Sequence, residues 1–417
     1  MNPLKNKTKQ NISILSWSLY DLANQFFILN VVSLYFPRWL TVEKGSPEIF
    51  YSLAFGFSMI LVAIFAPFLG TLSDKQNKHK AFLILFTVIS IIFTLLLGMT
   101  SNVFLCLIIF AIANFGCQEA TIFYNSLMKT VAPKNKLGLV SGIGKMFGYG
   151  GAVLALYLTR PVVTHWGYPA TFLVTGIMFL IFSLPCIIFV KDLRSKYKPK
   201  PNNVSGKEYI LQTFRQLKKT LTDNDKFQEL KSFFKAVFFG LCAINTFMLF
   251  MAVYAAKVFG LTETQLISLL AFSTIFAVAG SFASGFISDF FGYKKSLIGV
   301  FILWIICLCT ATCLNQPFHW LVGGLAGISV GATWVILRAL VIKLAPEDEL
   351  GEAFGLFNLI TYASGIVGPV YWGLILLYFT RFGSAGYRFS FFSLVLFFII
   401  TIVLLLKMDN KSSRKKY

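Results

Sequence analysis

Long apolar runs separated by short polar turns organise the whole chain. They lie near 13–40, 50–72, 81–99, 102–130, 138–159 and 168–190, and again near 233–258, 263–288, 296–314, 318–345, 352–379 and 388–407. Each reaches about 19 residues or more, and roughly 20 are needed for a helix to cross the hydrocarbon core of a bilayer. The pattern predicts an all-α membrane protein with twelve transmembrane helices. A basic polar stretch, 191–232, separates an N-terminal bundle (1–190) from a C-terminal bundle (233–417). Inside that stretch Ile210, Leu211, Phe214 and Leu217 recur at helical spacing, which predicts an interfacial helix over 209–221. The first run is too long, and too polar in places, for a cleaved leader, and reads as a retained span.

Composition agrees with a polytopic membrane protein. The chain is 57% hydrophobic and 17% aromatic, with mean hydropathy +0.73. Only 13% of its residues are charged, about half the roughly 25% usual in soluble domains. The net charge of +20 does not call for nucleic acid, because the basic residues fall mostly in the turns. On the side of the termini these are Lys5, Lys7, Lys9, Lys75, Lys78, Lys80, Lys134, Lys136, Lys294, Lys295, Lys407, Lys411, Arg414, Lys415 and Lys416. The opposite turns hold Lys44, Arg160, Arg381 and Arg388. Basic turns face the cytoplasm, so both termini are expected there. All seven cysteines lie in apolar runs, and no disulfide framework is expected. His79, His165 and His319 are scattered near turns, so no metal cluster or other cofactor is expected. No Gly-x-x-x-x-Gly-Lys-Ser/Thr loop occurs, which argues against ATP-driven pumping, and no enzyme signature is present.

A short pattern recurs 215 residues apart. Gly70-Thr-Leu-Ser-Asp74-Lys75 runs on to Lys78-His79-Lys80, and Gly285-Phe-Ile-Ser-Asp289 runs on to Gly292-Tyr293-Lys294-Lys295. A second pair of segments, Asn125 to Pro133 and Arg338 to Pro346, repeats at an offset of 213. Tyr149 falls on Tyr362 at that same offset. Span 4 thus corresponds to span 10 and span 5 to span 11, which predicts a parallel duplication of six spans.

The pattern Gly-x-x-x-Asp-(Arg/Lys)-x-Gly-x-(Arg/Lys) between spans 2 and 3 resembles the signature of the major facilitator superfamily. The first copy departs from it at Asn77, where glycine is usual, and the second at Phe290, where the basic residue is lost. Trp17-Ser-Leu-Tyr20-Asp21-Leu-Ala-Asn24 and Phe123-Tyr-Asn-Ser-Leu127 resemble the vacuole-effluxer branch, the autophagy-linked amino-acid permeases and their bacterial relatives. Gly148-Tyr-Gly-Gly151 and Gly368-Pro369 fit the same branch. The resemblance implies two pseudo-symmetric six-helix bundles that alternate access about a midplane site. It implies gating by the two loop motifs, with Gly70, Asp74, Lys75, Gly285, Asp289, Gly292 and Lys294 as the gating residues.

Charges inside the spans are few, and each is costly enough to need a reason: Asp21, Glu119, Lys145 and Arg338. The first three lie roughly 10–15 Å from the cytoplasmic ends of their spans at 1.5 Å per residue, so they can meet at one level. Trp17, Asp21, Asn24 and Gln25 share a face of span 1, and Asn114, Gln118, Thr121 and Asn125 share a face of span 4. These two faces are the candidate cavity lining. Glu119 points roughly 100–140° away from the span 4 stripe, toward a neighbouring helix. Lys145 with Asp21 or Glu119 reads either as a structural ion pair or as a site for a proton or a zwitterionic substrate. Arg338 is placed either to bind a carboxylate or to neutralise an acid such as Glu352.

The expected function is secondary transport of a small solute, an amino acid or related metabolite first, by proton coupling or facilitated diffusion. Another small metabolite or amphiphile is the alternative within transport, and a membrane sensor or scaffold the alternative outside it. A bacterial inner membrane is favoured over an organelle, and a monomer is expected, with lipid, substrate and protons as its partners.

Overall fold

A computed structural model of the chain describes residues 3–46, 48–133, 135–192, 227–346 and 348–412. The expected interfacial helix over 209–221 lies outside the described residues. Every regular element among the described residues is helical. In chain order the helices are α1 (Pro3–Phe27), α2 (Glu48–Gln76), α3 (His79–Leu97), α4 (Val103–Val131), α5 (Leu137–Phe189), α6 (Gln228–Val258), α7 (Glu263–Phe291), α8 (Tyr293–Cys313), α9 (His319–Leu344), α10 (Leu350–Phe379), α11 (Ser384–Phe392) and α12 (Leu394–Ser412). Wide π turns, Ile28–Leu34 and Trp39–Glu43, continue α1 on either side of the helical turn Tyr35–Arg38.

Ten stretches among the described residues are long and apolar enough to cross a membrane. One of them, α5, has 53 residues and holds two spans, because Gly167 (φ 77°, ψ −179°) breaks the helix between Pro161 and Pro169. That backbone is open to glycine and hostile to residues with a Cβ. Helices α11 and α12 together make the last span. The first span is missing from the ten because Asp21, Asn24, Gln25 and Asn30 dilute its apolar character. Counted in this way, the described residues hold twelve spans.

The chain divides into two compact units. One comprises 1–223 together with Pro346–Leu359, and the other Asn224–Ala345 together with Ile360–Tyr417. The first ten residues of α10 thus pack with the N-terminal half, although their sequence belongs to the second repeat. Within the first unit, α1 packs along α5, while α2 and α3 pack on α4. Within the second, α7 and α9 approach closely enough that a Cβ at Gly327 would meet Ser273 O at 2.1 Å and one at Gly331 would meet Ala277 O at 2.3 Å. Small residues permit such backbone contact between helices in lipid, where no hydrophobic force draws them together. Large apolar side chains such as Leu53, Ile64, Tyr157, Ile188, Phe286 and Leu377 stand exposed, as a lipid-facing surface requires.

The turn between α2 and α3 is two residues long and needs a left-handed residue to reverse the chain. Asn77 supplies it with φ 53°. Asparagine is one of the few residues besides glycine that tolerates this region. Gly292 does the same between α7 and α8 with φ 90°. The departure from the loop signature at Asn77 is therefore conformationally conservative.

Candidate functional site: a polar seam on the first span and a capped helix at Asp74

The middle of α1 turns its polar face into the first unit. Asp21 is 3% exposed and its Oδ1 accepts from Lys145 Nζ at 3.3 Å. Lys145 lies on α5, where Gly151 lets the helix close on α1; a Cβ there would stand 2.9 Å from Leu22 Cα. One turn on, Asn24 Nδ2 donates to Thr121 Oγ1 at 2.9 Å, and Cys117 Sγ donates to Asn24 Oδ1 at 3.3 Å. One turn back, Trp17 Nε1 donates to Tyr124 O at 3.0 Å and its ring stacks on Tyr124 with centroids 4.5 Å apart. Tyr20 also stacks on Tyr124 and shares a 2.5 Å hydrogen bond with Thr87 Oγ1 of α3. The seam thus joins α1, α3, α4 and α5 through buried polar contacts that lipid could not satisfy. Deeper along the first span, Asn30 Nδ2 donates to Thr175 Oγ1 at 2.9 Å and Thr159 Oγ1 donates to Asn30 Oδ1 at 3.3 Å.

The stripe on α4 is not uniform. Thr121 faces α1, but Asn114 Nδ2 donates to Ser58 Oγ of α2 at 2.8 Å. Gln118 and Gln25 are half-buried, and Asn125 is buried with its Oδ1 unpartnered among the described residues. Glu119 is fully buried, and neither carboxyl oxygen has a partner among the described residues. It lies on the side of α4 that meets α3, between Gly116, whose Cβ would touch Phe86 O at 2.9 Å, and Phe123, whose ring stacks on Phe86. The structure therefore brings Asp21 and Lys145 together and leaves Glu119 apart from them. Arg338 belongs to the second unit, where it is 4% exposed on α9. Among the described residues no group of three or more His, Cys, Asp or Glu side chains is placed to hold a metal.

The loop motif forms a second constellation, also within the first unit. Both carboxylate oxygens of Asp74 are used. Oδ1 accepts from Gly351 N at 2.9 Å and Oδ2 from Glu352 N at 2.7 Å. These are the exposed N–H groups at the start of α10, where a helix carries roughly half a positive charge. Contact at this point depends on missing side chains. A Cβ at Gly70 would lie 2.2 Å from Gly351 O, one at Gly351 would lie 2.5 Å from Ser73 Oγ, and one at Gly355 would lie 2.5 Å from Ala66 O. His79 completes the group: its Nε2 donates to Asp74 Oδ1 at 2.6 Å, and both side chains are buried. Lys75 is half-buried beside them.

The second copy of the motif has different surroundings. Asp289 Oδ1 accepts from Tyr293 Oη at 2.6 Å, and Lys343 Nζ lies 5.3 Å from the centre of the Tyr293 ring. Gly285 is buried near the end of α7, Gly292 makes the turn, and Lys294 follows it at the start of α8. Residues that the sequence patterns did not single out also contribute. Thr87 and Ser58 look like ordinary span residues, and only their partners on other helices reveal a role.

Twelve helices with a helix-capping aspartate in the first of two repeated loop motifs define a transporter of the major facilitator superfamily. Solved structures share the fold. The human organic anion transporter MFSD10 superposes with a TM-score of 0.74 at 12% identity, covering 97% of this chain and all of that one. The proton:xylose symporter XylE gives 0.72 at 14% identity, with 96% of each chain covered. Among sequences, the MFS-type transporter YxiO of Bacillus subtilis is 24% identical over 435 residues, covering 98% of this chain and 97% of its own. The family description "Vacuole effluxer Atg22 like" matches residues 134–417. The chain belongs to that family. It is an integral membrane transporter, and its relatives are transporters rather than enzymes.

Proposed function

We propose that this protein exports a small polar metabolite, an amino acid or close relative, across a bacterial plasma membrane by proton-coupled alternating access, working as a monomer with both termini in the cytoplasm. The observation that carries the reading is the double cap by Asp74 on the first turn of α10. The cap ties the second repeat of the sequence to the first unit through a contact that can open and close. A charged cap at a helix N-terminus contributes about 0.5–2 kcal/mol, a size suited to a reversible gate. A scaffold would have no use for such a contact. The Asp21–Lys145 pair is the candidate for substrate or proton recognition. A zwitterion offers an ammonium to the carboxylate and a carboxylate to the ammonium, and Lys145, about one-fifth exposed, is reachable. Gln25, Gln118 and Asn125 supply further polar groups beside it. Basic turns on the side of the termini support the orientation.

A second reading, an apolar or amphiphilic substrate, has one observation behind it. An open groove of about 570 Å³ runs between α2 and α4, lined by apolar residues that include Phe50, Phe57, Phe104 and Phe115. Uptake into proteoliposomes across a panel of amino acids, organic anions and amphiphiles, with and without an imposed proton gradient, tests both. Gradient-driven movement of amino acids is the expected result. Movement of amphiphiles alone would replace the first reading with the second, and no movement of any solute would remove both.

A further inference from the structure

The two segments that match at an offset of 213 meet different kinds of partner. At that offset Lys145, Gly148 and Gly151 of α5 fall on Asn358, Thr361 and Ser364 of α10. In the first unit this part of α5 meets Asp21 and Leu22 of α1. In the second unit Thr361 and Ser364 meet Asn245 of α6, whose Nδ2 donates to Thr361 O at 3.2 Å and to Ser364 Oγ at 3.0 Å. An ion pair stands in one unit and a neutral amide in the other. We propose that Asn245 is a substrate-selecting residue, whose amide oxygen receives a neutral hydrogen-bond donor of the solute, a hydroxyl or a carboxamide N–H. The inference rests on the reading of the protein as an amino-acid transporter and narrows it to solutes that carry such a group.

The amide is held in one orientation. Asn245 lies just past the middle of α6, where a spanning helix crosses the centre of the bilayer. Its N–H donors are both used on α10, and Ser364 Oγ, which accepts one of them, donates in turn to Thr361 O at 2.7 Å. Gly368 permits this approach, since a Cβ there would lie 2.3 Å from Cys242 O. A carboxamide has one acceptor oxygen besides its donors. Asn245 Oδ1 accepts from no group among the described residues, and the residue is only half-buried. An accessible oxygen without a donor is costly at this depth in hydrocarbon. It calls for a donor from water or from a ligand.

The lipid-facing row of α10 lies on another side. Ile366, Val370, Leu374 and Leu377 are exposed and apolar. At about 100° per residue, Thr361 stands roughly 140–180° from that row, so Asn245 is bonded to the face of α10 turned away from it. Gly365, half-buried beside the amide, adds no side chain to cover it. The groups against the amide are a hydroxyl, a backbone carbonyl and a glycine, none of them charged. A carboxylate or an ammonium seated there would be desolvated without a counter-charge from them. A methyl group set against Oδ1 would strand the acceptor. A hydroxyl or a carboxamide N–H matches it, so serine and asparagine should be preferred over alanine and leucine.

The test has two readouts. In a background without native cysteines, Asn245→Cys is offered a charged, water-soluble thiol reagent and, separately, a membrane-soluble maleimide. Labelling by the charged reagent, slowed by serine but not by alanine, is the expected result. Labelling by the membrane-soluble reagent alone, or by neither, overturns the proposal. The second readout is uptake of serine, asparagine, alanine and leucine into proteoliposomes, each fitted for KM. Wild type should show KM values roughly 3- to 10-fold lower for the first two, the net effect of one hydrogen bond. Asn245→Leu should lose that preference. The ratio of KM values is read, so a fall in rate or in the amount of folded protein does not count. Where Asn245→Leu fails to fold, Asn245→Cys, which also lacks the amide, supplies the same ratio. Ser364→Ala removes one anchor and leaves the acceptor, and should lower the ratio only part of the way. Equal KM values in wild type, or the wild-type ratio in Asn245→Leu, sink the proposal and leave amino-acid transport standing. Movement of no amino acid removes that reading, and this inference with it.

Discussion

Lys145 and Asp21, 124 positions apart in the sequence, meet at 3.3 Å in the interior of the first unit, and each moderates the cost of burying the other. Removing one partner of a buried pair typically costs about 3–5 kcal/mol, because the other charge is stranded, whereas removing both is often neutral. Asp21→Asn should therefore lower thermal stability, and Asp21→Asn with Lys145→Met should recover most of it. Transport separates structure from mechanism. If the pair carries the proton or the substrate, the stable double variant will have lost gradient-driven accumulation while it folds normally. Full accumulation by that double variant would reduce the pair to a structural element.

Glu119 supplies the matched control. Its carboxyl group is buried against α3 without a partner among the described residues, so its polarity contributes little that a neutral side chain could not. Glu119→Gln should change melting temperature by no more than a few degrees, since about 1 kcal/mol corresponds to shifts of roughly 2–4 °C in a domain of 150–250 residues. A loss of several times that size would mean that the acid has a structural partner after all.

Asp74→Asn removes a charge from the start of α10 and leaves an amide that can satisfy one N–H. The loss should be about 1 kcal/mol of cap energy, close to a fivefold shift in the gate equilibrium. Spin-label distances between Gln76 and Asp348, which flank the capped contact within the first unit, report it. Unchanged distances together with unchanged transport would refute the latch.

Gly70 probes the same contact sterically. Alanine there would set a Cβ 2.2 Å from Gly351 O, which the backbone can relieve only by moving α2 and the start of α10 apart. Overpacking of this kind costs about 1–3 kcal/mol. Gly70→Ala should lengthen the same spin-label distance and slow transport. Gly150→Ala, with nothing within 4 Å of the new methyl group, should do neither.

Topology has its own test. Ser384 opens α11 at the end of the span that the basic-residue asymmetry places outside, and single-cysteine variants there should label from the external side. Labelling at Ser384 from the cytoplasm alone would invert the assignment of the termini.

Residue order alone carried the number of the spans and the loop motif. The cause is the solvent: a bilayer forces backbone groups to pair within each helix, so every crossing must be a long apolar run visible in the chain. The polar residues of α1 were also visible, because lipid tolerates so few. Their partners were not. A helical face says which residues point together, but not which other helix they meet. Asn114 shares its stripe with Thr121, yet one bonds α2 and the other α1. Asp21 and Glu119 looked equally able to receive Lys145, and packing of α1 against α5, closest at Gly151, decided between them. His79 read as a histidine near a turn until the fold brought Asp74 onto the first turn of α10 and set the imidazole against it. Tertiary structure alone decides such matters, because a contact between residues hundreds of positions apart depends on how whole helices pack, which no local pattern encodes.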